Sequence, residues 1–280
     1  MRTVCATFAA LLLLPPVANA DCNRRLADHR PVAGQRDIAE TWLAEPTDRY
    51  RHFVLGANYE AGSLCARLRD GRLLELVLPV SEVFEDRSPR LADLEGDGRD
   101  KIVAIRSHVD RGAAVAVIDV RNGRLQIVAA TPPTGRPRTW LNIAGIADFT
   151  GSGRPSIAAV ELPHAVGRLV LWQFESGAMK AVASADNTSN HVIGSSELGL
   201  SAVADFNSDG AVDLAIPSFD RHWLRFLTFK GGVVREFARQ RLRARASSNF
   251  SVEYTGERRS VVVGLEDGTK QEVLSSGRQK

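Results

Sequence analysis

The sequence predicts an all-β protein, and three kinds of observation lead to that fold class. Apolar runs of strand length recur along the chain, such as Leu214-Ala215-Ile216 and Ser260-Val261-Val262-Val263. Turns that contain glycine, such as Asn122-Gly123, separate these runs and are typical of hairpins. An acidic, glycine-containing loop also recurs, and its spacing predicts the architecture.

The acidic loop occurs three times at a nearly constant interval. Its first residues are Asp93, Asp148 and Asp205, which lie 55 and 57 positions apart. A short strand precedes each loop, and a second strand and a tight hairpin follow it, so that one unit contains four strands. Similar hairpin patterns without the acidic loop extend the series to both ends of the chain. This period is that of a propeller blade.

We therefore predict one domain, 21–280, folded as a β-propeller of about five four-stranded units. Their expected bounds are 36–80, 88–132, 140–185, 198–240 and 247–276. In the first unit, residues 51–55 are one of the predicted strands. A β-sandwich is the alternative, because it also shows short strands with regular turn signals. The same loop at the same point of each unit favours radial repetition, which a sandwich does not require.

The first twenty residues have the pattern of a signal peptide. Arg2 supplies the positive region, residues 8–14 the apolar segment, and Ala18-Asn19-Ala20 the cleavage site. No later run reaches the roughly 18 apolar residues of a membrane-spanning helix. We therefore expect an exported, soluble protein, either periplasmic or extracellular. Lipid attachment at Cys22 is an alternative, against which Asp21 argues because a lipobox requires a small residue there.

Cysteine content and charge narrow the environment and the partners. Cys22 and Cys65 are the two cysteines that follow the predicted signal, and in an oxidising compartment they form a natural disulfide pair. Two separate thiols are the alternative. The net charge of the whole chain is +3, which gives no electrostatic footprint for nucleic acid.

The third loop, residues 205–213, has the ligand pattern of a calcium site. Side-chain oxygens stand at its first, third, fifth and ninth positions, on Asp205, Asn207, Asp209 and Asp213. Gly210 permits a sharp turn, and carboxylates at alternate positions of a tight loop can converge on a hard cation. The loop is not an EF-hand, because Ile216 replaces the required glutamate. The alternative is a turn in which Asn207 and Asp209 cap backbone amides.

The other two loops depart from this pattern. In the first loop, residues 93–101, carboxylates remain at Asp93, Glu95 and Asp97 and predict a further calcium site. Lys101 occupies the ninth position, so either it turns away and Asp100 joins the site, or its charge replaces the metal. The second loop, residues 148–156, offers one carboxylate, with Thr150, Ser152 and Ser156 at the other positions. We expect a turn held by hydrogen bonds alone there.

These loops resemble the FG-GAP or VCBS repeat family, the blades of integrin α-type β-propellers. The family pattern is roughly Asp-Phe-Asn-Gly-Asp-Gly-x-x-Asp-Leu followed by an apolar strand, and residues 205–214 read Asp-Phe-Asn-Ser-Asp-Gly-Ala-Val-Asp-Leu. The resemblance implies calcium held by the side chains of Asp205, Asn207, Asp209 and Asp213 and by the backbone carbonyl of Ala211. It covers about residues 90–237 and the end units only weakly.

The sequence favours a binding role over catalysis. Its six histidines show no metal-ligand spacing, and neither a G-x-S-x-G elbow nor a Walker loop occurs. We predict a non-catalytic module whose loops, such as 132–140 and 186–197, contact a protein or glycan. The alternative is an exported hydrolase of polysaccharide or phosphodiester that uses loop carboxylates such as Glu161, Glu197 and Asp220.

The tryptophans give a smaller prediction about glycan contact. Trp140, in a Pro-rich connection beside two arginines, is the candidate for an exposed ring that stacks on a sugar. Trp172 and Trp223 lie within predicted hairpin strands and are expected in the core between units. A cluster of three or more carboxylates in the central channel, away from the acidic loops, would favour the hydrolase, whereas an uncharged or arginine-lined channel would weaken it.

Overall fold

A computed structural model describes residues 22–256 and 258–275. The predicted signal peptide, residues 1–20, lies outside these described residues. Within them the regular structure is β-strand apart from a single 3-10 turn, Lys230–Gly232. The predicted all-β fold class is therefore confirmed.

The first sheet contains nine strands, and all its strand pairs are antiparallel. They are β1 (Val32–Ala33), β2 (Ile38–Thr47), β3 (Glu60–Leu68), β4 (Leu73–Val77), β5 (Glu82–Phe84), β6 (Arg90–Ala92), β7 (Lys101–His108), β8 (Gly112–Arg121) and β9 (Arg124–Ala130). Their order is β1-β2-β3-β5-β7-β8-β9, with β4 also paired to β3 and β6 to β7. The turn predicted at Asn122-Gly123 joins β8 to β9, and both residues have positive φ, 52° and 72°.

Two details of this sheet differ from the sequence prediction. Strand β5 joins the first two predicted units, because it pairs with β3 at Ala61↔Phe84 and with β7 at Val83↔Ser107. With three residues, β5 is too short to show the alternation of polar and apolar side chains that predicts a strand. The strand predicted at residues 51–55 is wrong: this segment is a loop that turns through positive φ at Arg51 and Phe53. Val54 and Leu55 within it are buried, which explains the misleading pattern.

Three smaller antiparallel sheets follow, each built from consecutive strands. The second sheet contains β10 (Leu141–Ala147), β11 (Ser156–Glu161), β12 (Arg168–Glu175) and β13 (Ala178–Ala185). The third contains β14 (Ala202–Ala204), β15 (Asp213–Pro217), β16 (Trp223–Thr228) and β17 (Arg235–Arg241). The fourth contains β18 (Ala246–Thr255), β19 (Arg258–Leu265) and β20 (Lys270–Leu274).

The apolar core lies largely between successive sheets. One buried cluster joins the first sheet to the second, for example through Val103 and Ile157. Further clusters join the second sheet to the third and the third to the fourth, the latter through Phe226 and Val263. Among the buried clusters of the described chain, none joins the fourth sheet to the first. Burial of apolar area thus couples each sheet to its neighbour in the sequence.

The predicted disulfide between Cys22 and Cys65 is present, with its two Cα atoms 6.0 Å apart. Both cysteines are buried against Trp42 and Ala44 of β2. The bridge therefore ties the chain start near residue 22 to the first sheet. In the part of the chain that the structure describes, no helix is long and apolar enough to cross a membrane.

Connections leave each sheet at two opposite ends, as antiparallel pairing requires. The three acidic loops join β6 to β7, β10 to β11 and β14 to β15, and they share their end of the sheet with the hairpin turns β8–β9, β12–β13 and β16–β17. The opposite end carries other connections, and we call four of them the loop face: residues 131–140, 162–167, 186–201 and 218–222.

Candidate functional site

The three acidic loops share one backbone arrangement. In each, the first aspartate accepts hydrogen bonds from the backbone N–H groups four and five residues later, over 2.7–3.1 Å. The acceptor and its two donors are Asp93 with Asp97 and Gly98, Asp148 with Ser152 and Gly153, and Asp205 with Asp209 and Gly210. The second donor is always a glycine with φ near 80°, a conformation that favours glycine.

The ninth residue of each loop begins the next strand and is buried. It is Lys101 at the start of β7, Ser156 at the start of β11 and Asp213 at the start of β15. Their exposed fractions are 1%, 0% and 0%. The same buried position therefore holds a cation, a neutral hydroxyl and an anion in three otherwise similar loops.

In the first loop, the ammonium of Lys101 lies among carboxylates. Its Nζ is 2.9 Å from Glu95 Oε2, 3.6 Å from Asp97 Oδ2 and 3.7 Å from Asp119 Oδ2. Burial alone would lower the pKa of Lys101, but these acidic neighbours raise it above its ordinary value. The lysine is therefore held in its charged form.

Asp100, the alternative ligand of the first loop, faces a different partner. Its Oδ1 accepts a hydrogen bond from Arg36 Nη1 at 2.8 Å, and its backbone N–H donates to Asp37 Oδ1 at 2.8 Å. Of the two alternatives read from the sequence, the structure shows the lysine paired with the loop carboxylates.

The second loop surrounds its single carboxylate with hydrogen-bond donors. Beyond its backbone contacts, Asp148 receives a weak hydrogen bond from Thr150 Oγ1 at 3.5 Å. Ser156 is opposite Gln173 in the sheet, and Gln173 Nε2 donates to Ser152 Oγ at 3.3 Å. Ser156 Oγ itself has no hydrogen-bond partner among the described residues. The loop is a hydrogen-bonded turn, as the sequence predicted.

In the third loop, the buried carboxylate of Asp213 is only half satisfied. Its Oδ2 accepts from the backbone N–H of Phe206 at 3.0 Å, whereas its Oδ1 makes no hydrogen bond of normal geometry in the described structure, and neither does the nearby hydroxyl of Thr228. Burial raises the pKa of Asp213 to about 6, although the hydrogen bond from Phe206 and the Thr228 hydroxyl oppose the shift. A buried carboxylate oxygen without a partner is costly, and a cation would remove that cost.

The remaining side chains of the third loop hold its backbone. Asn207 Oδ1 and Asp209 Oδ1 accept from the backbone N–H groups of Asp209 and Ala211, each at 2.9 Å. Lys230 Nζ lies 3.7 Å from Asp209 Oδ1, and both side chains are partly exposed. Lys230 also donates to the backbone carbonyl of Asp209 at 3.1 Å, so its charge is paired with Asp209 and not with the buried Asp213.

The donor set of the third loop suits a hard cation, since it consists of oxygens. Its carboxylates are not closed around one point, however. In residues 22–256 and 258–275, three potential ligand atoms from His, Cys, Asp or Glu come within 4.8 Å of one another at Cys22, Cys65 and Glu75 alone. The cysteines there are joined in the disulfide. The third loop thus fits calcium by chemistry and by its unpaired Oδ1, and its ligands would have to draw together around the ion.

The loop face is tied together by hydrogen bonds between distant segments. The backbone N–H of Gly194 donates to Val54 O at 2.9 Å, and that of Arg138 to the Tyr50 hydroxyl at 3.1 Å. His164 Nε2 and His191 Nδ1 are 2.9 Å apart. Burial lowers the pKa of both histidines, to about 3 and about 4, so they form a neutral pair near pH 7. Nothing in the sequence spacing of these histidines indicates that they meet.

Two of the tryptophan predictions are wrong. Trp140 is 2% exposed, stacks on His164 and donates its indole N–H to Glu85 O at 2.9 Å, so it is a core residue of the loop face. Trp223 is half-buried at the surface, where Arg239 and Arg241 lie over its ring. The apolar character of a strand segment does not reveal which side of the sheet is covered. Trp172 is buried between sheets, as predicted.

The carboxylates considered for hydrolysis have separate surroundings. Glu161 ends β11, and burial raises its pKa, although Arg168 opposes that shift. Glu197 Oε2 accepts from the backbone N–H of Asn249 at 3.2 Å. The Ser218 hydroxyl and the backbone N–H of His222 both donate to Asp220 Oδ1, and they lower its pKa. Each carboxylate thus has a local structural partner.

A cavity of about 440 Å³ lies between β6, β10 and the segment that leads into β14. It is lined by Arg90, Leu91, Ile143, Ala144, Gly145, Ile146, Leu198, Gly199 and Ser201. Arg90 is the charged residue of this lining and is paired with the buried Asp86. No acidic residue is among these lining residues, so the cavity offers no pair of carboxylates for glycoside hydrolysis.

Comparisons with known proteins give no family. No family model matches the chain, and no curated protein matches it. Among solved structures it is similar to Sqt1 of Saccharomyces cerevisiae, at 12% identity and a TM-score of 0.48, over 77% of this chain and 54% of that one. It is also similar to the rhamnogalacturonan lyase YesW, at 12% identity and a TM-score of 0.44, over 85% of this chain and 50% of that one. The third is rhamnogalacturonan lyase PL11 of Bacillus licheniformis, at 12% identity and a TM-score of 0.44, over 91% of this chain and 60% of that one. The chain therefore spans between half and three-fifths of these structures.

Proposed function

We propose that this chain is an exported β-propeller of the FG-GAP/VCBS type, stabilised by calcium, that acts as a non-catalytic binding module for a protein or glycan. Consecutive antiparallel sheets with apolar clusters between them support the radial arrangement. The Cys22–Cys65 disulfide and the signal pattern of residues 1–20 support export.

The unpaired Oδ1 of Asp213 is the observation that supports calcium. Asp205, Asn207, Asp209 and Asp213 would supply side-chain oxygens, and Ala211 its backbone carbonyl. In the first loop we propose that the Lys101 ammonium takes the place of the metal, so that Asp93, Glu95 and Asp97 bind no calcium while it is present. The ion would stabilise the loop between two strands and would not take part in a reaction.

The interlocked loop face supports the binding role. Its segments are fixed by hydrogen bonds, whereas Ile193 remains 68% exposed on it. A rigid face that leaves an apolar side chain uncovered suits recognition.

The module and the hydrolase can be separated by one experiment. The protein is incubated with a panel of neutral soluble polysaccharides, and both retention in affinity electrophoresis and release of reducing ends are measured. We expect retention without release, and Ile193→Asp should weaken it at least fivefold. Val77→Asp is the matched control, since Val77 is 63% exposed on β4. Reducing ends that accumulate with time would establish the hydrolase instead.

A further inference from the structure

We propose that a row of arginines along and beyond β17 binds an acidic polysaccharide, a chain whose sugars carry carboxylates. The row is exposed and consists of Arg235, Arg239, Arg241, Arg243 and Arg245. Against these five arginines, segment 235–245 contains one acidic residue, Glu236, so its net charge is +4 while that of the whole chain is +3. Arg235, Arg239 and Arg241 lie on β17, whereas Arg243 and Arg245 lie in the connection to β18, next to segment 218–222 of the loop face. The proposal does not rest on the function proposed above, which is tested at Ile193.

Other strands at the outer ends of their sheets lack such a row. Strand β9 carries Arg124, β13 carries Lys180, and β20 carries Lys270 with Glu272. A single charge can keep an edge strand from pairing with another molecule. Strand β17 carries three exposed arginines, Arg235, Arg239 and Arg241, which is more than protection of its edge requires. This excess of positive charge points to a ligand.

Part of the row is free to bind carboxylates. Glu236 is already held by the buried Arg225, at 2.8 Å, and by Arg239, at 2.5 Å. At the far end Arg245 lies 4.0 Å from Glu266. Arg235 and Arg241 have no ion pair among the described residues. These two guanidinium groups can therefore each meet a ligand carboxylate in a bidentate geometry.

Trp223 favours a sugar ligand over other polyanions. The guanidinium carbons of Arg239 and Arg241 lie 6.0 and 5.7 Å from the centre of its half-buried ring. This contact orients the two planar guanidinium groups. An aromatic ring beside such donors suits a carboxylated sugar, which presents both an apolar face and a charged group.

An acidic peptide that adds to β17 as a further strand fits less well. The side chain of Gln271 donates to the backbone carbonyl of Arg241 at 3.2 Å and so occupies part of the strand edge. The row also continues to Arg243 and Arg245, after the strand has ended at Arg241. Side chains rather than the backbone edge therefore define this surface.

The test uses alginate, a polymer of uronic acids, as the probe in affinity electrophoresis and calorimetry. The wild type should bind alginate, and Arg235→Gln/Arg241→Gln should lose at least tenfold in affinity. Arg124→Gln/Arg168→Gln removes the same charge from two other exposed arginines and should stay within twofold of the wild type. Circular dichroism and melting temperatures verify that both variants are folded.

Three results would overturn the proposal. An equal loss in both double variants would show attraction by net charge alone. Equal or tighter binding of polyglutamate, single-stranded DNA or anionic vesicles would show that the surface does not select acidic sugars. If the wild type is not retained by alginate while the β17 variant self-associates, the row merely protects an edge strand.

Discussion

Lys101 and Asp213 occupy the same position in two loops with the same backbone arrangement, yet their charges are opposite. Each is buried, and each begins the strand that follows its loop. The lysine is surrounded by three carboxylates, whereas one oxygen of the aspartate has no partner. The comparison teaches that a buried charge at this position needs a counter-charge, which the first loop contains within the chain and the third loop lacks.

The largest expected effect comes from removing the internal cation. Lys101→Met removes one cation from the buried Asp119, whose other ion pairs are with Arg121 at 2.6 Å and Arg99 at 3.9 Å. Breaking a buried ion pair from one side costs about 3–5 kcal/mol, and because Asp119 keeps these two arginines, denaturant unfolding should show a loss of about 3 kcal/mol. Lys180→Met, at a side chain that is 67% exposed, is the control and should change stability by less than about 0.5 kcal/mol.

The same variant also sharpens the comparison. Without its ammonium, the first loop retains Asp93, Glu95 and Asp97 and becomes able to take a cation. Calcium should therefore restore part of the stability lost in Lys101→Met, measured by differential scanning calorimetry with and without chelator. A deficit that calcium leaves unchanged would contradict the view that the lysine stands in for a metal.

A smaller effect is expected at Asp213 in the absence of metal. Its folded-state pKa of about 6 lies above the ordinary value of 3.8. The stability contributed by the protonated form is therefore complete below about pH 4 and is lost as the pH rises through 6. In chelator at pH 7.5, Asp213→Asn should unfold at a higher temperature than the wild type. Its free energy of unfolding should be larger by about 1–3 kcal/mol.

A carboxylate with a lowered pKa should respond differently to the same substitution, because its charged form stabilises the folded protein. Asp220 is stabilised in its charged form by Ser218 and His222. Asp220→Asn should therefore not raise the melting temperature at pH 7.5. If both substitutions stabilised the protein equally, the gain at Asp213 would reflect net charge rather than its burial.

The smallest effect is expected at Ser156, the neutral counterpart in the second loop. Its hydroxyl is buried without a hydrogen-bond partner among the described residues. Ser156→Ala removes this unsatisfied hydroxyl and leaves a side chain of similar size. Stability should stay within about 1 kcal/mol of the wild type and should not depend on calcium. A loss of several kcal/mol on urea unfolding would indicate a hydrogen bond that the structure does not show.

Local patterns predicted much of this molecule. Glycine turns identified the hairpins, for example at Asn122-Gly123, because positive φ restricts the residues that can occupy them. The recurring loops were also predictable, because in each of them the glycine N–H donates to the carboxylate of the first aspartate. Position within a loop even indicated that Lys101 could replace a metal.

Long-range contacts were not predicted, because one sequence does not state which segments meet. Asp119 reaches Lys101 from the neighbouring strand β8, and no local pattern predicts this third carboxylate. The core position of Trp140 depends on His164 and Glu85, which are distant in the chain. Likewise, the arginine row became visible as a surface once Leu242 was seen to be buried and its neighbours exposed.

Thermal unfolding in calcium and in chelator, compared between the wild type and Asp213→Asn, tests whether the third loop binds calcium. If calcium is present at about 100 times its dissociation constant, it adds about 2.7 kcal/mol to the wild type, or roughly 5–10 °C for a domain of this size. Asp213→Asn and Asp209→Ala should lose most of this response. A wild-type melting temperature that is the same in calcium and in chelator would contradict the account, and an equal response in all three proteins would place the metal elsewhere.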